Sequence, residues 1–309
     1  MSAALSSPDG TTETTETTDH GIVVGYDGSA GSRLALDWAV ETAKRDDRQL
    51  TVLQCVGLTM TPTFRAYDPG LQAHDEMSRS VLEEAIHIAT KTLDRKDVRP
   101  LSVIGGAAAE LVGVSSHADL VVTGSRGHGA VTGGLLGSTS YAVTAHARCP
   151  AVVVRGDAVV HAGPSHPVVV AFDDSKNAQK ALETAVQVAA AAEATLHVVA
   201  VDNVGGLESW PETDTILGRE EMLDQMHLHV GQTLEDVAED ARRVHPGLDV
   251  QTTVLAGSAG PAIAARAVDV RAGLVVMGSR GHGGFAGVLL GSVSHRVIHD
   301  APCPVMVVH

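Results

Sequence analysis

Between residues 121 and 140 the chain reads VVTGSRGHGAVTGGLLGSTS, and between residues 275 and 294 it reads VVMGSRGHGGFAGVLLGSVS. These residue types suit the binding of an anion. Gly124, Gly127, Gly129, Gly133, Gly134 and Gly137 let backbone N–H groups approach a ligand with no Cβ in the way. Ser138 is a preferred helix N-cap residue, and the unpaired N–H groups of a helix start carry a partial positive charge. An apolar run, a glycine loop and a helix start in succession make a phosphate site. The second stretch repeats each part with Gly278, Gly281, Gly283, Gly284, Gly287, Gly291 and Ser292. One glycine-rich loop is a weak signal, because glycine also serves ordinary turns. Two loops sharing the spacing Gly-x2-Gly-x9-Gly-Ser are hard to explain by turn geometry. The chain has no Gly-Lys pair, and no G-x-G-x-x-G follows its first apolar run, so the spacing is neither a P-loop nor a dinucleotide fingerprint.

A loop of this kind needs a strand before it and a helix after it, and the chain supplies both twice. Residues 118–123 form a short apolar run suited to a buried parallel strand, and residues 139–147 can continue as a helix. Upstream, the pattern predicts a strand over 21–26 and a helix over 29–44 with Leu34, Ala35, Trp38, Ala39 and Thr42 at helical spacing. A strand over 50–56, an irregular stretch with Phe64 and Tyr67, a helix over 75–93, a strand over 99–104 and a helix over 107–116 follow. A strand over 151–154 closes the first half. The order then recurs: strand 167–172, helix 176–192, strand 195–201, a stretch with Trp210, helix 219–244, strand 250–255, helix 259–271 and strand 274–277. The second loop, a helix from Ser292 and a strand over 304–308 complete it. Strands alternating with helices imply right-handed crossovers and an α/β fold with parallel sheets. The domain reading is a disordered Ser/Thr/Glu tail over 1–20, a domain over 21–155, a linker over 156–166 and a second domain over 167–309.

Taken together, the duplicated motif and the order of elements resemble the universal stress proteins, over nearly the whole chain after residue 20 and as two tandem domains. The resemblance implies Rossmann-like domains of the adenine nucleotide alpha hydrolase type, each a five-stranded parallel sheet of order 3-2-1-4-5. Ligands of such sheets bind beyond the carboxyl ends of the strands where the order reverses, here between strands one and four. It also implies ATP, with Mg²⁺ as its companion, in one site per domain. Asp27 and Asp173 stand where the family places an Asp on adenine and ribose, and Cys55 and Val201 where backbone groups read the adenine edge. Cys55 is a mild departure from the usual valine. Gly124 and Gly278 would lie near the ribose, while Gly127, Gly137, Ser138 and Thr139, with Gly281, Gly291, Ser292 and Val293, would hold the phosphates. The family commonly pairs domains through strand five, so the two halves are expected to form a pseudo-dimer and two chains a homodimer.

Several of these residues have a plainer reading. Asp27 and Asp173 could cap the helices that follow them. Arg126 and Arg280 could neutralise a triphosphate or remain solvated loop residues. His128 and His282 have no nucleophile or acid at a defined spacing, and His227 and His229 lie two apart on a helix and point in different directions, which disfavours a metal site. The halves differ in the connection after strand two and in the length of the third helix, away from the phosphate loop, so both sites are expected to bind with unequal affinity.

Composition narrows the classes further. With 37 acidic against 22 basic side chains the net charge is −15, which disfavours nucleic acid and anionic membranes as partners. Aromatics are only 3%, so the core must be built from aliphatic strands packed closely by helices. The 3 cysteines form no metal pattern; Cys149 and Cys303, each before a proline, are equivalent small core residues. No basic-then-apolar leader and no long apolar run is present, and a reduced, cytoplasmic protein is expected. Three functional readings remain. A nucleotide-binding stress or regulatory protein leads; a slow ATPase or phosphotransferase using the same loops comes next, and a nucleotide-free interaction scaffold last. Efficient phosphoryl transfer wants a metal-holding carboxylate and a base as well as a Lys or Arg, and only the Arg and some hydroxyls are evident.

Overall fold

The structure, a computed structural model, describes residues 19–56, 70–127, 136–202, 216–282 and 289–309. The first half runs β1 (Ile22–Gly25), α1 (Ala30–Arg45), β2 (Leu50–Val56), α2 (Gly70–Ala89), β3 (Val98–Ile104), α3 (Ala107–Val114), β4 (Leu120–Gly124), α4 (Ser138–His146) and β5 (Ala151–Val154). The second half repeats it with β6 (Val168–Ala171), α5 (Lys176–Ala191), β7 (Leu196–Asp202), α6 (Ile216–Val244), β8 (Val250–Ala256), α7 (Ala259–Asp269), β9 (Leu274–Gly278), α8 (Ser292–Asp300) and β10 (Val305–Val308). Residues 1–18 of the expected tail, Phe64, Tyr67, His128, Gly129, Gly133, Gly134, Trp210, Gly283, Gly284 and Gly287 lie outside the described residues. His20, grouped with the tail on composition, is tied to the sheet: its N–H donates to the His117 carbonyl at 2.8 Å, and its own carbonyl accepts from Thr51 Oγ1 at 2.8 Å.

All ten strands join one sheet of order β3-β2-β1-β4-β5-β10-β9-β6-β7-β8. Each half therefore has the order 3-2-1-4-5, and pairing within each half is parallel. The halves meet where β5 and β10 pair antiparallel, Val153 opposite Val305 and Val152 opposite Met306. The two five-stranded sheets, expected to pair through strand five, are thus one continuous sheet. The strands can lie in its middle because valine-rich runs such as VVVA in β6 suit burial on both faces. Side chains alternate across it: Ile22 and Val24 pack on the α1, α2, α5 and α6 side, while Val23 packs on the α3 and α4 side. The first of these cores is continuous across both halves, containing Trp38 from α1 and Leu234 from α6.

Helix boundaries follow local chemistry. Ser29 caps α1, its side chain accepting from the Ser32 N–H at 3.2 Å, and Ser175 caps α5 through the Ala178 N–H at 3.2 Å. The α2 helix begins at Gly70, five residues before the apolar period starts, and ends at Ala89 rather than at 93. At α3 the last expected residues instead form a single 3₁₀ turn, Ser115–His117, as helix ends often tighten.

Candidate functional site

The strand order reverses between β1 and β4, which are neighbours in register from Ile22 opposite Leu120. Beyond their carboxyl ends lies a cavity of about 360 Å³, within the range of roughly 300–1,000 Å³ common for small-molecule sites. Asp27, Cys55, Gly124, Arg126, Gly127, Gly137, Ser138 and Thr139 all line it. These residues come from five separate elements or loops, and the fold brings them to one place. Gly25, Ser32, Leu111, Thr123 and Ser140 also line it and were not picked out from sequence. Hydroxyl side chains at a strand end and in the first turn of a helix, next to the motif, were the signal available for Thr123 and Ser140.

Close approach explains why glycines stand at several points around the first cavity. A Cβ on Gly31 would stand 2.4 Å from the Arg126 carbonyl oxygen, so the loop after β4 crosses directly over the first turn of α1. A Cβ on Gly127 would stand 2.6 Å from Asp27 Oδ2. The loop therefore lies against the carboxylate. Asp27 is not the cap of α1, which is Ser29; its Oδ1 instead accepts the Ser29 N–H at 3.0 Å and fixes the turn. Asp173 does the same for Ser175 at 3.1 Å, and its Oδ2 accepts the His282 N–H at 3.3 Å.

The start of α4 differs from the expectation. Gly137, not Ser138, is the N-cap, and Ser138 is the first helical residue; Gly291 and Ser292 repeat this at α8. The cause is the backbone of the glycine itself. Gly137 donates its N–H to the Ser125 carbonyl at 3.0 Å and accepts from the Tyr141 N–H at 2.9 Å, which closes the turn without a side-chain cap. Ser140 Oγ then donates to the Gly124 carbonyl at 2.6 Å, tying the helix start to the strand end. The first-turn N–H groups of α4 have no intrahelical acceptor, and Ser138 and Thr139 present that turn to the cavity.

Charge at the site is positive on one side. Arg126 is exposed at the cavity wall. Beside it lies Arg155, just past β5, held below the ordinary arginine range by burial and then by the neighbouring Arg126 charge. Its Nη1 is buried with no hydrogen-bond partner among the described residues. His309 occupies the equivalent place in the second half, lowered by burial and then by Arg280 and Lys180. Burial, with Glu110 nearby, pushes the Cys55 thiol up to about 11, so it is not a thiolate nucleophile. Burial pushes Cys149 and Cys303 up to about 12. No group of three or more His, Cys, Asp or Glu able to hold a metal ion exists among the described residues, and His227 instead lies 3.6 Å from Asp202.

The second half has a smaller cavity, about 190 Å³, lined by Ser175, Lys176, Asn177, Arg280 and Gly281. Three positions that line the first cavity have apolar counterparts here. Gly25 corresponds to Ala171, Thr123 to Met277 and Thr139 to Val293. All three counterparts belong to or pack against one apolar cluster with Val199, Ile263 and Leu290, as does Val201, the counterpart of Cys55. Asp173 lies against Gly281, whose added Cβ would collide with its Oδ2, and Gly278 packs against Asn177, where its Cβ would stand 2.8 Å from the Asn177 Cβ. Arg280 and Gly281 line the small cavity, and Gly291, Ser292 and Val293 are arranged at the start of α8 as their counterparts are at α4.

The model of the "Universal stress protein family" matches residues 20–155 and again residues 164–309. A universal stress protein of Mycobacterium tuberculosis is 32% identical over 299 residues, covering 93% of this chain and 96% of the relative. One from Mycolicibacterium smegmatis is 31% identical over 315 residues, covering 94% and 97%. Among solved structures, a universal stress protein from Archaeoglobus fulgidus superposes with a TM-score of 0.66 at 25% identity, covering 94% of this chain and 98% of that one.

Proposed function

The chain belongs to the universal stress protein family and carries two copies of its fold in tandem, and from that premise we propose that it is a regulatory protein that binds ATP in the crevice between β1 and β4. The observation that carries the reading is the cavity of about 360 Å³ walled by all eight residues picked from the first-half sequence pattern. Adenine enters toward the carboxyl end of β2, where the backbone at Cys55 offers N–H and C=O groups. Asp27 accepts from the ribose hydroxyls. The phosphates lie along the loop from Gly127 and over the first turn of α4, where the N–H groups and the helix dipole favour negative charge. Arg126 neutralises the outer phosphates. Mg²⁺ would arrive with the triphosphate and be held by phosphate oxygens and water. The equivalent residues of the second half, Asp173, Val201, Gly278, Arg280, Gly281, Gly291, Ser292 and Val293, form a second candidate site by their loop sequence.

Binding to the native state alone stabilises it by RT ln(1 + [L]/Kd), about 2.7 kcal/mol at a hundredfold excess over Kd. That linkage lets the fold report nucleotide level to a protein partner. The test is to denature purified protein mildly and to identify and count the released nucleotide against protein by chromatography. ATP is expected, together with a rise in Tm of roughly 5 °C when ATP is added to emptied protein. Gly127→Ala, whose Cβ would fall 2.6 Å from Asp27 Oδ2, should lose both effects. Released ADP would favour hydrolysis; no nucleotide and no shift in Tm would overturn the proposal.

A further inference from the structure

We infer that Arg155 is a second phosphate-holding cation of the first crevice, set behind Arg126 so that the site selects nucleotides carrying more than one phosphate. The inference rests on the nucleotide reading above and names the residue that sets how many phosphates are preferred. Its first basis is the backbone. The Ser125 N–H donates to the Val154 carbonyl at 2.9 Å, and the Ser125 carbonyl accepts from the Gly137 N–H at 3.0 Å. One serine therefore ties the end of β5 to the cap of α4. Arg155, the residue after Val154, stands next to the helix turn that would face phosphate. Val152 and Val154 pack on the α1 side, whereas Val153 packs with Val297 and Ile298 of α8. Alternation then turns Arg155 toward α4 and α8. The attraction it feels from Asp300, the last residue of α8, agrees. Arg126 lines the cavity and Arg155 does not, so a monophosphate seated on the turn of α4 stays short of it. Further phosphates would pass Arg126 and come within its reach.

The second basis is charge. A guanidinium drawn partly out of water needs an acceptor for each buried donor. Arg155 Nη1 is buried and has no hydrogen-bond partner among the described residues. Asp300, the carboxylate that attracts it, is already engaged: its Oδ2 accepts from Arg296 Nε, and its Oδ1 lies 2.6 Å from His299 Nδ1. Arg126, the other charged neighbour, repels it. Two like charges side by side, one with a donor left over, suit the oxygens of a polyphosphate. The second half repeats the frame. There the Ser279 N–H donates to the Val308 carbonyl at 2.8 Å and the Gly291 N–H to the Ser279 carbonyl at 2.8 Å. His309 follows Val308, and its Nε2 is likewise buried with no partner among the described residues. A polar atom left over at the same point of both halves marks a position of the fold rather than an accident of one loop.

Competition photolabelling of the full chain tests this. Nucleotide-free protein is labelled with 2-azido-ADP, and the label mapped to residues 20–155 is displaced by ATP or by AMP. In the wild type, ATP should halve that label at a concentration about tenfold or more below the one AMP needs. In Arg155→Gln the ATP concentration should rise on the order of tenfold to a hundredfold, the worth of one charge-assisted hydrogen bond, with AMP unchanged. Arg155→Lys, which keeps the charge without the planar fork, should recover part of the ATP preference. An arginine that only supports the fold would move ATP and AMP together; that result, or an unchanged ATP concentration in Arg155→Gln, would overturn the inference. The wild-type comparison needs no variant to fold. Equal displacement by ATP and AMP, or label confined to residues 164–309, would overturn the inference and leave nucleotide binding standing. Absence of displaceable label in both halves would remove both.

Discussion

Burial has displaced four histidines in the same direction. His20, His161, His197 and His309 are all held below the ordinary 6.5, in each case first by desolvation. His161 shows why: it follows β5 in the connection between halves and stacks on Trp38 of α1, centroids 6.2 Å apart and 12° from parallel. Glu41 draws its value back up and Arg45 pushes it down, but desolvation is the larger effect. The native state therefore holds these rings neutral at a pH where the unfolded chain would already bind protons. Stability from this source is present above pH 6.5 and is lost as pH falls below it. The expected outcome is a Tm that drops between pH 7.5 and pH 5.5, with a shallower drop in His161→Gln. Melting curves across that interval check it; equal slopes for the two proteins would exclude His161 as a contributor.

The elements that hold the site are short and depend on their ends. Ser29 caps α1 and shares its N–H with Asp27, so one serine fixes both the helix start and the carboxylate that faces the loop. Ser29→Ala should cost about 1 kcal/mol in urea denaturation, the usual value of a lost N-cap. It should leave ATP binding unchanged, because alanine keeps the backbone N–H that Asp27 Oδ1 accepts. A weakened Kd measured by titration would show that the serine hydroxyl also orders the site. The same scale explains the helix bounds that differ from expectation. α2 and α6 start at Gly70 and Ile216, ahead of the first residues of their apolar period, where amphipathic spacing gives no signal. The motif glycines were legible because their type and spacing are themselves the function. Gly31, at the N-terminus of α1, was not, since its role is to admit the carbonyl of a residue about a hundred positions away.

Among the described residues one ten-stranded sheet runs through both halves, which join at the antiparallel pair β5–β10. Val153 sits there opposite Val305, fully buried, in the cluster that also holds Val169 from β6 and Val275 from β9. An aspartate at this position would have no charged partner. Val153→Asp should destabilise the chain by about 3–5 kcal/mol, the range for an uncompensated buried charge. Denaturation followed by circular dichroism checks this, and two separated transitions in place of one would show that the junction couples the halves. Loss of less than about 1 kcal/mol would mean that β5 and β10 part readily in solution.

By itself the sequence determined the duplication, the alternation of strands and helices, and the glycine, Asp and Arg residues that the first cavity gathers. Each is written locally, in spacing and residue type, and the resemblance to a family supplied the strand order. The resemblance also supplied the pairing of the halves through strand five; tertiary structure decided that β5 and β10 meet antiparallel in one continuous sheet, because that geometry depends on surfaces from both halves. Tertiary structure alone brought Ala171, Met277 and Val293, from three elements, into or against one apolar cluster. No local pattern records that convergence, since each of the three is an ordinary apolar residue until the sheet brings them together.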